Sequence, residues 1–210
     1  MSGDQSTLPE SLRSALVRAG FDSDEASATL IDAQLTAAQP RARVLALRAG
    51  AQRHLLSPAA WRRAMTDASA EVRRDALTLY AHDGSDDDAV RAAMVEALDD
   101  ADALVVDAAA FALGERLVVA AVDDLVRVAG HHADARCREA AVAALGTLGD
   151  DRGREAIIAA LDDKPPVRRR AVVALANFEG PDVEAALARA REDRDWQVRA
   201  AADQLGDDEL

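Results

Sequence analysis

Aromatic side chains make up only 3% of this 210-residue chain, there is one cysteine, and a single lysine, Lys164, stands among 25 basic residues. Scarce rings leave burial to Ala, Leu and Val. One cysteine excludes an internal disulfide. No apolar run approaches the roughly 18 residues of a membrane span, and no charged-then-apolar leader opens the chain, so a soluble, cytoplasmic protein is expected. Basic charge is also short: 38 acidic residues give a net charge of -13, which repels phosphate backbones and counts against nucleic acid as the main partner. Arg over Lys and Asp over Glu suit a GC-rich genome, and the acid excess would also suit a salt-rich cytoplasm.

Repetition is what the chain has in abundance. Anchors at Ala42, Val72, Val105, Cys137, Val167 and Val198 recur about every 30 residues, and four positions after each stands an alanine: Ala46, Ala76, Ala109, Ala141, Ala171 and Ala202. One position after the anchor comes Arg43, Arg73, Arg138, Arg168 or Arg199, with Val106 in the third copy. Five positions before it comes Asp67, Asp100, Asp162 or Asp193. Arginine and aspartate at fixed offsets are not a matter of composition. The period predicts one supersecondary unit that cannot bury its apolar face alone and stacks on copies of itself.

Within each unit, apolar residues at 0, +4, +5 and +7 or +8 predict one helix stripe, as in Val167, Ala171, Val172 and Leu175. Gly114, Gly146 with Gly149, and Gly180 are expected to close this first helix or its loop. A second stripe follows, as in Val90, Met94 and Leu98, or Ile157, Ile158 and Leu161. Pro40, Pro58, Pro165, Pro166 and Pro181 fall at predicted helix starts or turns, where a missing N–H costs nothing. The small residue in every first helix lets neighbouring backbones approach without a void. The ladder of Asp67, Arg73, Asp100, Arg138, Asp162, Arg168, Asp193 and Arg199 is read as architecture: the turn aspartate caps the following helix or pairs with the arginine one turn inside it.

The run Cys137-Arg138-Glu139-Ala140-Ala141-Val142-Ala143-Ala144-Leu145-Gly146, with Asp162, Val167-Arg168, Ala171 and Leu175, resembles the HEAT repeat, in its short class often called phycobilin-lyase-like. The resemblance covers roughly residues 37 to 206 and implies an all-α, right-handed α-solenoid, a HEAT-like superhelix of about six helix pairs, whose second helices line a concave binding face. Residues 1–36 are expected to form a degenerate helix pair that caps the array, and residues 207–210 an acidic tail, because an open end exposes core. Such repeats occur in scaffolds, in lyase subunits and in a few enzymes, so function has to be argued from sites.

No residue set suggests catalysis, a cofactor or a metal. His131 and His132 with Asp134 offer nitrogen and oxygen ligands but lack helical i, i+4 spacing, and His132 sits in the aspartate slot. HEAT-repeat iron hydroxylases are marked by His-Glu dipeptides, which this chain lacks. HEAT-like DNA glycosylases use a strongly basic face, which the acidic balance opposes. Cys137 fills a valine slot and should be an inert, buried thiol. Asp86, Asp87 and Asp88 supply the cap and first-turn charges of the helix that follows.

Candidates for partner binding are Trp61 and Trp196, each beside arginines, and a row on the second helices carrying Arg91, Arg127, Arg154 and Arg189. The apolar run Leu117 to Val122, where the third unit departs from the ladder, is read either as a buried helix or as an apolar site for a partner helix. The expected function is a non-enzymatic scaffold or adaptor that binds another protein. The alternatives are an accessory subunit of a lyase-type or other modifying enzyme and, behind it, a nucleic-acid-binding protein.

Overall fold

The computed structural model describes residues 8–207, and all regular structure among them is helical. The chain forms two compact units, residues 1–94 and 95–210. In the first unit α1 (Glu10–Ala19) and α2 (Glu25–Gln34) are followed by α3 (Pro40–Gln52), α4 (Pro58–Met65), α5 (Ala70–Tyr80) and α6 (Asp88–Glu96), whose last turn carries the unit boundary. The second unit holds α7 (Ala103–Glu115), α8 (Val122–His131), α9 (Ala135–Leu148), α10 (Arg154–Ala159), α11 (Pro165–Leu175), α12 (Pro181–Arg191) and α13 (Trp196–Asp207). Each unit is a stack of helix pairs, the solenoid arrangement. The first-helix layer is α3 and α5 in one unit, and α7, α9, α11 and α13 in the other. No helix among the described residues is long and apolar enough to cross a membrane. Residues 208–210 of the expected acidic tail lie outside the described residues.

Local chemistry sets the helix ends. Asp24 caps α2 by accepting the Ser27 N–H at 2.6 Å, and Ser57 caps α4 through the Ala60 N–H at 3.2 Å. Prolines open α3, α4, α11 and α12, in the first turn, where the backbone N–H has no helical partner to lose. Gly149 ends α9 in the left-handed region, at φ 62°, a conformation that costs glycine little.

The seam of each stack is made of the repeating small residues. Ala46, Ala76, Ala109, Ala141, Ala171 and Ala202 are all fully buried, as are the anchors Val105, Cys137, Val167 and Val198. Gly114 and Gly146 do not close helices as the sequence suggests: they lie inside α7 and α9. A Cβ on Gly146 would come within 2.5 Å of the Ala174 Cβ and 2.8 Å of its Cα, and one on Gly114 within 3.1 Å of the Ala144 Cα. Glycine is used here for close approach between neighbouring first helices. Close approach of this kind joins α7 to α9 and α9 to α11.

The run from Leu117 to Val122 is neither a buried helix nor a continuous apolar surface. Leu117 takes a left-handed conformation (φ 51°) and is exposed, Val119–Ala121 form one 3-10 turn, and only Val118, Ala121 and Val122 are buried. The chain uses the run to turn from α7 into α8.

Candidate functional site

The arginine and aspartate columns form clasps between successive repeats. Arg43 donates from Nε and Nη2 to the two carboxylate oxygens of Asp67 at 2.8 and 2.6 Å. Arg138 does the same to Asp163 at 2.6 and 2.7 Å, and Arg168 to Asp193 at 2.9 and 2.8 Å. The third nitrogen, Nη1, reaches back to the turn before its own helix: to the carbonyl oxygens of Ala37, His132 and Asp163, at 2.7, 2.7 and 2.8 Å. Each guanidinium thus ties its own turn to the next one. A planar fork suits two-point pairing with a carboxylate.

Two readings of the ladder change. Asp67 and Asp193 pair with the arginine of the preceding repeat, while Arg73 and Arg199 donate to the backbone oxygens of those same aspartates, each at 2.7 Å. The aspartates also hold the chain two residues on, Asp67 taking the Ser69 N–H at 2.8 Å, Asp100 that of Asp102 at 2.9 Å and Asp193 that of Asp195 at 2.7 Å. In the fifth repeat the paired carboxylate is Asp163 rather than Asp162. Pro165 and Pro166 offer no N–H, so this turn is held one residue early, by Asp163 on the Lys164 N–H at 2.6 Å. Asp162 faces outward, 3.7 Å from Arg189. Hydrogen bonds from Arg138 and from Arg168 hold the Asp163 and Asp193 carboxyls below the ordinary carboxylate range. Arg168 is itself only 4% exposed. These charges are architecture: they join repeats.

Arg91, Arg127, Arg154 and Arg189 on the second helices each lie against an acid or a carbonyl of their own unit. Arg91 pairs with Asp86 and Asp88, and Arg127 with Asp99 at 2.8 Å and Asp124 at 3.2 Å. Arg154 lies 3.5 Å from Asp182 and donates to the Glu179 carbonyl at 3.2 Å. Trp61 is removed from the binding candidates. It is wholly buried, edge-on to Tyr80 with ring centroids 5.3 Å apart, because Ala60, Trp61, Ala64 and Met65 form the inward stripe of α4. Trp196 stands 67% exposed at the start of α13.

An opening lies on the other face, that of the first helices. In the second unit a cleft of about 480 Å³ opens between α7, α9 and α11. Its floor is Gly114, Ala140, Ala143 and Ala144, and its walls carry Asp107, Phe111, Glu115, Arg136, Glu139 and Arg170. The small residues that bring the helices together also leave this space above them. Phe111 is 41% exposed, and Val173 occupies the equivalent position on α11, also exposed. Burial raises the Asp107 carboxyl above the ordinary range; Arg136 pulls it down, and Glu139 and Asp134 push it up. The repeat offsets contain part of this signal: the position six after each anchor, Arg48, Thr78, Phe111, Ala143, Val173 or Gln204, is never buried.

Other chemistry-bearing residues stay apart. Among the described residues no group of three or more His, Cys, Asp and Glu side chains is placed to hold a metal ion. His132 accepts the Asp134 N–H at Nδ1, 3.1 Å away. The Cys137 thiol is buried and donates to the Ala103 carbonyl at 3.1 Å, and burial pushes its pKa up to about 11. Such a thiol does not supply a thiolate near neutral pH.

Comparison with known proteins agrees with this geometry. Residues 122–206 match the HEAT repeats family. The fold is similar to the complex of CpcE and CpcF of phycocyanin lyase from Nostoc sp. PCC7120, with a TM-score of 0.61 and 20% identity over 83% of this chain and 74% of that one. It is similar to the Escherichia coli protein YibA, with a TM-score of 0.64 and 17% identity over 94% and 75% of the two chains. Computationally designed armadillo repeat proteins for modular peptide recognition align with a TM-score of 0.60 and 18% identity over 84% and 97%. No curated protein sequence matches the chain.

Proposed function

We propose that this chain, which carries HEAT repeats over residues 122–206, is a non-enzymatic scaffold that binds another protein on the face of its first helices. The observation that carries this reading is the cleft above α7, α9 and α11, with its floor of small residues and its walls of mixed charge and one exposed ring. A concave site with an apolar floor and a few placed polar groups is the usual form of a binding site. The cleft is bounded by first helices alone, α7, α9 and α11. This moves the proposed surface from the second helices, whose arginines are already tied to neighbouring acids. The solenoid supplies the surface preformed, so little ordering opposes association.

The likeness to designed peptide-recognition repeats supports a protein partner. The likeness to the CpcE and CpcF complex supports a second reading, an accessory subunit of a modifying enzyme that itself docks through this face. A net charge of -13 weighs against nucleic acid.

Filling the cleft is the test. Ala143→Trp should leave the circular dichroism spectrum and unfolding midpoint near those of the parent, while abolishing capture of the partner from native lysate. Arg127→Ala and Arg189→Ala, on the second helices, should leave capture intact. If the Trp variant captures the same partner as well as the parent does, the first-helix face is not the working surface. Co-purification of a chromophore or an active enzyme would favour the accessory-subunit reading.

A further inference from the structure

The first helix α13 carries the fittings of a joint that no neighbour closes. In the second unit the positions one and two after the anchor reach toward the next repeat: Arg138 and Arg168 bond the following turn, Glu139 lies 3.7 Å from Arg170, and Arg169 donates to the Gln197 side chain at 3.1 Å. The position five after the anchor stands one helix turn further along the same side. It is fully buried in every earlier repeat, as Leu47, Leu77, Ala110, Val142 and Val172. On α13 these three places hold Arg199, Ala200 and Asp203, with Trp196 a turn before them and 67% exposed. Asp203 is exposed too. Nη1 of Arg199 donates to the Asp193 carbonyl at 2.7 Å, the bond by which Arg43, Arg73 and Arg138 hold the carbonyl six residues back, also at 2.7 Å. That leaves its Nε and Nη2 as the same fork, set in the same attitude. Among the described residues neither Arg199 nor Asp203 forms an ion pair.

We propose that this face of α13 joins two copies of the chain, packed antiparallel about a twofold axis near Ala200, with Arg199 of each copy bonded to Asp203 of the other. A further repeat of the usual kind suits the face poorly, since its apolar seam would bury Asp203 with no cation beside it. A second copy brings a cation to Asp203 and a carboxylate to Arg199 at once. In an antiparallel pair, residues at equal distances on either side of the axis meet, so a donor and an acceptor one helix turn apart exchange partners reciprocally. Within one copy the two charges stay apart because an arginine four residues before an acid is the weaker helical order, and because Arg199 is drawn back toward Asp193. Ala200, half-buried, is small enough for the two helices to approach. The Trp196 ring of each copy then leaves water against the later turns of the other α13, in the manner of an interface anchor. A single helix pair buries less than the roughly 1,200 Å² of a standard interface, and copies of net charge -13 repel, so the dimer is weak and reversible. No residue of α13 lines the cleft; dimer and scaffold are therefore tested apart.

The experiment is a charge exchange read by sedimentation of the full chain over a range of concentrations, with circular dichroism as the check on folding. The parent should show a monomer–dimer equilibrium. Arg199→Asp and Asp203→Arg each set like charges against each other across the axis and should weaken self-association by about tenfold or more. An equimolar mixture of the two variants should recover the parental affinity within about threefold, because in the mixed dimer both pairs are again of opposite sign. A role for Arg199 within its own chain alone gives no such recovery. Trp196→Ala should weaken the dimer by about tenfold, while Arg189→Ala, on α12, should leave it unchanged. The pairing is wrong if the parent stays monomeric at every concentration, if Asp203→Arg associates like the parent, or if the mixture stays as weak as its components. Arg199→Asp also loses the Asp193 bond; should that variant not fold, Asp203→Arg, at an exposed position, decides the matter by itself.

Discussion

Replacing Gly146 by alanine tests the close approach of first helices, because a helix propensity gain and a packing loss oppose each other there. Glycine to alanine in a helix interior gains about 1 kcal/mol where the new methyl meets nothing. At Gly146 the methyl would stand 2.5 Å from the Ala174 Cβ and 2.8 Å from the Ala174 Cα, against the about 3.5–4.0 Å of an ordinary carbon contact. Neither atom can rotate away, since a Cβ and a Cα are fixed to the backbone. So α9 and α11 must part by on the order of 1 Å, and overpacking of this kind costs about 1–3 kcal/mol. The net effect is a loss of about 1 kcal/mol, or roughly 2–4 °C in Tm for a chain of this size. Gly114, whose methyl would meet Ala144 at 3.1 to 3.2 Å, should come out near neutral. Gly130, in the last turn of α8 with nothing within 4 Å, should gain a few tenths of a kcal/mol. Urea unfolding of the three variants should rank Gly130→Ala above the parent, then Gly114→Ala, then Gly146→Ala. A Gly146→Ala midpoint equal to that of Gly130→Ala would refute the seam.

Three further outcomes follow from the same geometry. Asp163 and Asp193 titrate below their unfolded value of about 3.9, so the stability they contribute is fully present above that value and is lost as pH falls through their folded values; the urea midpoint should be flat from pH 7 to about pH 5 and fall below about pH 4, less steeply in an Arg138→Met, Arg168→Met variant. Trp61→Ala should cost about 3–5 kcal/mol as a large side chain leaves the core, and Trp196→Ala should stay within about 0.5 kcal/mol, both read from thermal unfolding. Val119→Arg should give a folded protein by circular dichroism, because Val119 is 45% exposed, whereas Ala121→Arg, at a fully buried position, should not.

Much of the fold was legible because repetition multiplies weak signals. The alanine column marked the seam, the prolines marked helix starts, and Gly149 marked an end. What escaped were contacts between residues a full repeat apart. Gly114 and Gly146 read locally as helix ends, yet their role depends on Ala144 and Ala174 on the neighbouring helix. The aspartates pair with arginines 24 or 25 residues before them, while local reading favours the arginine six residues after. Trp61 beside Arg62 and Arg63 looked like a surface anchor, though the four-residue spacing of Ala60 and Ala64, and of Trp61 and Met65, already placed it inward. The cleft was harder to see. Its walls are ordinary outward positions of α7 and α9, and only their pairing across a seam of small residues makes a hollow.

The clasps have a consequence for how such a chain grows. Arg43, Arg138 and Arg168 grip the next turn with the same atoms at nearly the same distances, so a joint of this kind carries no address. A block running from one turn aspartate to the next brings a complete fastening at both edges. Copying or deleting such a block in the gene changes the reach of the molecule by one module and asks for no newly invented interface, leaving the exposed faces free to diverge.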